Sequence, residues 1–318
     1  VTLTADVPID APAVEAVMAR ARTENFPVAS RLLPRREREH LLAVYGFARL
    51  VDELGDSLAA GPSGGGSADA GPPSPSVIEQ RLAALDWLER QLDLVFGGET
   101  ATVAQEEHPL LVRLAATVRK CGLAREPFAR LIEANRVDQR VSRYETWAQL
   151  RGYCALSADP VGEIVLGVFG LATPERVALS DSICTALQLT EHCQDVVEDL
   201  ARGRVYLPAE DMRRFGCDEA DLAGAQASGP LRELLAFEVA RARQLLADGA
   251  PLLARLRGRP RLAVAAFAAG GHAALDAIER ARFDVLAGPP SAGSARRLAA
   301  LVPTLRAGRR AAPVSGAP

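Results

Sequence analysis

Two pairs of aspartates, each pair separated by four residues, constrain this chain more than anything else in it. Asp52 and Asp56 lie in Arg49-Leu50-Val51-Asp52-Glu53-Leu54-Gly55-Asp56, and Asp195 and Asp199 in Gln194-Asp195-Val196-Val197-Glu198-Asp199. On a helix, residues four apart share a face, one turn above the other. Like charges at that spacing weaken a bare helix, so a chain that does this twice calls for something positive between them. A hard divalent cation, completed by substrate phosphates and water, meets that need.

Both pairs extend into polar stripes. Stepping back from Asp56 gives Asp52, Arg49 and Tyr45, and from Asp199 gives Asp195, Glu191 and Gln188. The flanks are apolar, with Leu41, Val44, Phe47 and Val51 beside the first and Ile183, Ala186, Leu189 and Val196 beside the second. A solvent-facing stripe normally mixes lysine with glutamate, and neither stripe holds a lysine, so both are expected to line an internal cavity. Arg202-Gly203-Arg204-Val205-Tyr206-Leu207-Pro208 follows the second stripe. Guanidinium binds phosphate oxygens in pairs and stays charged, so Arg202 and Arg204 suit a diphosphate held beside the carboxylates. Taken singly, each pair reads better as ordinary helix-end charge; two with aligned neighbours reverse that and favour the cavity.

The composition points to helices. Of 318 residues 48 % are hydrophobic and only 5 % aromatic, and β-branched residues are mostly valine. A net charge of −3 gives no electrostatic case for nucleic-acid binding. Five scattered cysteines, without paired spacing, read as free thiols in a reducing compartment. No signal peptide opens the sequence, and the apolar run from Leu262 to Leu275 is broken by Gly270-Gly271-His272, so the expected location is the cytoplasm. The expectation leaves room for loose contact with a membrane surface. Helices are expected at about 11–22, 35–56, 77–96, 107–120, 126–141, 146–169, 175–201, 208–214, 218–223, 229–257, 259–287 and 292–306. Residues 57–76 form a Gly/Pro/Ser insertion, readable as a lid or a surface loop, and 307–318 a disordered tail. The result is an all-α bundle with a central cavity.

Other signals carry less. Glu37-x-x-His40 has a metal-ligand spacing but sits among arginines and lacks a second copy, so it reads as a solvated face. His192 is read as pointing off the Glu191/Asp195 stripe, with packing or a helix-surface role expected rather than catalysis. The polar run Asn135-Arg136-Val137-Asp138-Gln139-Arg140, with Tyr144, fits a cavity wall or a surface network equally well. Tyr153 opens an apolar helix, where its ring suits a cavity wall with its hydroxyl hydrogen-bonded.

With these residues in view, the chain resembles the squalene/phytoene synthase family from about Asn25 to Leu301. Asp52/Asp56 and Asp195/Asp199 match that family's two D-x-x-x-D motifs. Within the family, Glu24-Asn25-Phe26-Pro27, Leu33-Pro34-Arg35-Arg36, Gln194-Asp195-Val196, Gly203-Arg204-Val205-Tyr206-Leu207-Pro208 and Gly270-Gly271-His272 resemble the bacterial hydroxysqualene synthase branch of hopanoid-type pathways. The resemblance implies a single-domain all-α isoprenoid-synthase bundle over residues 1–306. It implies Mg²⁺ held by Asp52, Asp56, Asp195 and Asp199, and catalytic roles for Tyr45, Arg49, Tyr153 and Gln188. It also implies substrate contacts from Phe26, Glu191, Arg202, Arg204 and Tyr206.

The implied reaction turns presqualene diphosphate and water into hydroxysqualene and diphosphate, between pathway enzymes upstream and downstream. Head-to-head condensation of farnesyl or geranylgeranyl diphosphate is the alternative, and a non-catalytic scaffold of the same fold a third. One departure stands out: Glu191 occupies a position where the family usually has asparagine. The C-terminal region also contains no tyrosine.

Overall fold

A computed structural model describes residues 35–56, 74–97 and 108–310. The expected helix at 11–22, Phe26 and most of the 57–76 insertion lie outside the described residues. Within them the chain runs α1 (Arg35–Asp56), α2 (Pro75–Gly97), α3 (Pro109–Cys121), α4 (Glu126–Asp138), α5 (Trp147–Ser157), α6 (Asp159–Val168) and α7 (Pro174–Gln194). It continues through α8 (Val196–Ala201), α9 (Ala209–Phe215), α10 (Glu219–Leu222), α11 (Gly229–Gly249), α12 (Leu252–Arg255), α13 (Gly258–Arg280) and α14 (Ser294–Arg310). No strand occurs among the described residues; one isolated parallel bridge joins Arg143 to Val205.

Local chemistry sets the helix ends. Thr146, Thr173 and Ser228 each accept a hydrogen bond from the backbone N–H three residues on, capping α5, α7 and α11. Asp218 and Asp221 form a reciprocal capping box at α10. Gly122 ends α3 at φ 62°, a left-handed cap open to glycine at no steric cost.

Several expected helices are interrupted, each for a physical reason. The segment 146–169 divides at Ala158, where Pro160 cannot continue the ladder from α5 and instead opens α6. The segment 229–257 divides at Ala250-Pro251. The segment 259–287 stops at Arg280, because Arg282 and Phe283 adopt positive φ. Pro75 opens α2 inside the expected insertion, and α14 runs to Arg310, into the expected tail.

Two cores lie on either side of the cavity. α1, α2, α3 and α4 close over Phe47, Leu50, Leu85, Leu88, Leu114 and Phe128, all fully buried, with Phe47 and Phe128 edge-to-face at 5.3 Å. α7 is the central element of the other half, packing on α5, α6, α11, α12 and α13 around Leu189, Leu234, Leu235, Leu246 and Ile278. α13 has the length and hydropathy to cross a membrane, but 56 % of its apolar window is buried in the bundle, as befits a core helix.

Candidate functional site

The two acid pairs face each other across a cavity of about 320 Å³. α1 brings Asp52 and Asp56 to it, and the α7–α8 junction brings Gln188, Glu191, Asp195 and Asp199. α4 contributes Asn135 and Asp138, and the following segments add Tyr153, Arg202, Arg204 and Tyr206.

The first pair ends an unbroken helix. Acidic residues at a helix C-terminus oppose its dipole, and the last carbonyls lack partners within the helix. Both problems are met from outside. The Arg81 guanidinium donates to the Asp56 carbonyl, and Gln139 Nε2 donates to the Gly55 carbonyl at 3.0 Å. Arg204 Nη2 donates to Asp56 Oδ1 at 3.1 Å, and Arg49 lies 3.7 Å from Asp52. Gly55 permits the close approach of α4: a Cβ there would meet Asn135 Oδ1 at 2.1 Å.

The second pair straddles a break. The expected continuous helix 175–201 stops at Asp195, whose φ −100° and ψ 19° leave the helical range. Asp199 N–H still donates to the Asp195 carbonyl at 2.8 Å, so the one-turn relation between the acids survives. Gly203 then turns the chain at φ 76°, and Arg204 N–H returns to the Asp199 carbonyl at 2.8 Å. This hairpin carries Arg204 across to the first pair.

An aromatic stack supports the junction. His192 lies over Tyr206 with ring centres 4.0 Å apart and planes at 11°, and Tyr206 stacks on Tyr153 at 5.5 Å. Tyr153 and Tyr206 both donate from their hydroxyls to Asp138, at 2.8 and 3.1 Å. His192 was expected to pack away from the site; it is buried, yet it borders the cavity, 3.4 Å from Gln188 and 4.0 Å from Asp199. Helical spacing alone puts it on that face, since His192 is four residues from Gln188 and seven from Asp199; only its adjacency to Glu191 set it apart. Burial lowers its pKa to about 3, leaving it neutral.

Electrostatics mark the cavity as short of positive charge. Burial raises Asp199 to about 7, with Asp195 adding repulsion. Asp52 is raised to about 7 although its side chain is half open, because the cleft walls desolvate it; Arg49 opposes and Asp56 adds to the shift. Burial lifts Asp138 to about 6 against the pull of Arg204. For Arg204 itself, burial is outweighed by Asp138, Tyr206 and Asp56, and its pKa rises. The donors are hard oxygens, which fit a divalent cation such as Mg²⁺. Among the described residues no three ligating side chains converge on one point, so such an ion would need further oxygens from substrate and water.

A second, apolar cavity of about 480 Å³ adjoins the first. Leu166, Ile183, Leu187, Val264 and Phe267 line it, and Val161 and Glu191 border both cavities. Gly271 lets α13 close onto α7, since a Cβ there would sit 2.6 Å from Leu187 Cδ2.

The expected polar stripe on α1 thus divides. Asp52 and Asp56 face the acidic cavity, Tyr45 faces the apolar one, and Arg49 reaches the site through Asp52. The polar run on α4 divides as well: Asn135 and Asp138 face the cavity, while Arg136 turns outward to Asp86 and Glu89 at 2.6 and 2.7 Å.

Residues 19–300 match the family model for squalene/phytoene synthase. A hydroxysqualene synthase of Rhodopseudomonas palustris is 33 % identical over 238 residues, covering 74 % of this chain and 72 % of that relative. A phytoene synthase of Arthrospira platensis is 31 % identical over 279 residues, covering 82 % of each. The crystal structure of squalene synthase HpnC from Alicyclobacillus acidocaldarius superposes with a TM-score of 0.72 at 40 % identity, over 85 % of this chain and 94 % of that one. A sequence match across most of the length and a shared helical fold thus meet on one answer: the chain belongs to the squalene/phytoene synthase family.

Proposed function

We propose that the protein converts presqualene diphosphate and water into hydroxysqualene and diphosphate with Mg²⁺ as cofactor. The observation that carries this reading is the junction of the two cavities at Glu191 and Val161. An amphiphile with a charged diphosphate and a long hydrocarbon body needs both compartments, joined where its carbon–oxygen bond breaks.

When bound by Asp52, Asp56, Asp195 and Asp199, Mg²⁺ supplies charge neutralisation for the leaving diphosphate. Arg204 is placed to bind phosphate oxygens from the rim, in exchange for its pairing with Asp56. Arg202 lines the same cavity. Neutral His192 and the Tyr153–Asp138–Tyr206 hydrogen bonds hold the wall rigid without adding a competing cation. The Tyr45 and Phe267 rings face the apolar cavity, where each can stabilise a carbocation by roughly 0.5–2 kcal/mol. Glu191, bordering both compartments, is the group placed to orient a water molecule toward that cation and to take up its proton.

A second reading, head-to-head condensation, is supported by the phytoene synthase relative, whose identity of 31 % nearly equals that of the hydroxysqualene synthase. Incubation with presqualene diphosphate and Mg²⁺, without a reductant, separates them by mass spectrometry of the products. Hydroxysqualene is the expected result. Condensation of farnesyl or geranylgeranyl diphosphate, with presqualene diphosphate untouched, would establish the second reading. Silence with every diphosphate would leave a scaffold of the same fold.

A further inference from the structure

The walls of the two cavities change character at the same level. On one wall Ser157, the last residue of α5, lines the acidic cavity, Val161 borders both, and Gly162 and Leu166 line the apolar one. On the facing wall α7 gives Ile183 and Leu187 to the apolar cavity and Gln188 to the acidic one, while Glu191 borders both.

Two contacts fix the register between these walls. Thr185 Oγ1 donates to Asp159 Oδ1 at 2.8 Å, and a Cβ on Gly162 would run into Ser180 and Cys184. Residue numbers rise along one wall as they fall along the other, so α6 and α7 are antiparallel. Counting back to Ser157 brings it level with Leu187 and Gln188, and Glu191 lies one turn beyond.

Ser157 stands apart in its hydrogen bonding. Of the side chains lining either cavity, it is the one among the described residues with a polar atom buried and unpartnered. A serine in a helix commonly returns its hydroxyl to the carbonyl four residues back, here that of Tyr153. Thr190 makes such a bond, to the Ala186 carbonyl at 2.6 Å, and Ser157 makes none. A buried hydroxyl without a partner is destabilising, so its retention at this level calls for a partner that arrives with the substrate.

The surroundings supply what one water molecule requires, which is about two to four polar neighbours. Ser157 Oγ can donate or accept. Gln188 turns its amide nitrogen to His192 Nε2 at 3.4 Å and keeps its carbonyl oxygen as an acceptor. Glu191 offers a carboxylate from the border of the two cavities.

A carbocation formed here has two exits. In one, a water oxygen donates a lone pair to the cationic carbon, the C–O bond forms, and the released proton passes to Glu191. In the other, Glu191 takes a proton from the carbon beside the cation, and the C–H electron pair closes a further double bond. Each exit releases one proton and needs neither oxidant nor reductant. They differ in whether a water is held in place as the cation forms.

We infer that Ser157 is a positioning residue that holds the attacking water against Glu191 and so sets the outcome to hydroxylation instead of proton loss. The inference rests on the proposed conversion of presqualene diphosphate.

Incubation of the full chain with presqualene diphosphate and Mg²⁺ in ¹⁸O-labelled water tests it, with products read by mass spectrometry. The wild type should give hydroxysqualene carrying the label. Ser157→Val and Ser157→Thr introduce side chains of the same shape that differ by the hydroxyl. Ser157→Val should lower the ratio of hydroxysqualene to the hydrocarbon formed by proton loss at least about ten-fold, the worth of one hydrogen bond. Ser157→Thr should keep that ratio within about three-fold of wild type, because its hydroxyl can hold the same water. Diphosphate release should fall by less than about three-fold in either variant, since the hydroxyl acts after ionisation. Ser157→Ala adds no bulk and should shift the ratio as valine does, which decides the matter if crowding unfolds the valine variant. Equal ratios in the valine and threonine variants overturn the inference, because shape and not the hydroxyl then matters. So does a loss of diphosphate release at constant ratio, which would assign Ser157 to ionisation or to the fold. A wild type that makes no hydroxysqualene fails at the reaction itself, before any variant is compared, and removes the inference with it.

Discussion

The two acid pairs have the same spacing and are built in opposite ways. Asp52 and Asp56 close an intact helix that is held from outside, by Arg81 and Gln139 on its last carbonyls and by the contact of Gly55 with Asn135. Asp195 and Asp199 sit across a helix break, supported from beneath by the His192–Tyr206–Tyr153 stack. The first arrangement is a rigid rail and the second a joint. Arg204 couples them, because it follows the second pair in sequence and pairs with the first in space.

The comparison breaks most visibly if only one pair binds the cation. Asp52→Asn and Asp195→Asn keep side-chain shape and remove one charge each. Each is expected to slow diphosphate release by about 10³-fold, with chelation abolishing the wild-type rate and Mg²⁺ restoring it. A loss confined to Asp52→Asn would mean that the Asp195 break serves the fold alone. A smaller effect comes from Arg204→Lys, which keeps the charge and loses the two-pronged geometry. An expected loss of about 10- to 100-fold, measured by the same assay, would show that the bridge binds phosphate as well as Asp56. An unchanged rate would reduce Arg204 to a structural tie.

The rail was more legible in sequence than the joint. Helix 35–56 follows from its apolar period and ends where expected, because nothing interrupts its backbone hydrogen bonds. The break at Asp195 left no trace: the residue is not proline or glycine, and its neighbours keep helical spacing on both sides. His192 was legible all the same, being four residues from Gln188 and seven from Asp199. Asp138 was not, because it depends on two tyrosines, fifteen and sixty-eight residues further along. Helical phase reports which residues share a face, not what long-range packing puts opposite it. Tyr45 shows the same limit, since four residues of spacing could not reveal that the stripe crosses from the acidic cavity into the apolar one.

The smallest effect, and the most direct comparison of the pairs, is in stability against pH. One acid in each pair, Asp52 and Asp199, has a folded pKa of about 7 against an ordinary value of 3.8. The folded protein therefore holds more protons than the unfolded chain across that interval, and its stability falls as pH rises through it. His192, lowered to about 3, acts with the opposite sign below pH 6.5, so the interval to read is roughly pH 6.5 to 8. There the metal-free protein is expected to lose on the order of 2–5 °C in its thermal midpoint, and Mg²⁺ to stabilise it more at the upper end than at the lower. Asp199→Asn should flatten this slope more than Asp52→Asn, because Asp199 is 14 % exposed and Asp52 51 %. Differential scanning fluorimetry of the two variants decides it. Equal flattening would mean that the two walls share one electrostatic environment, and the difference between rail and joint would then be one of backbone alone.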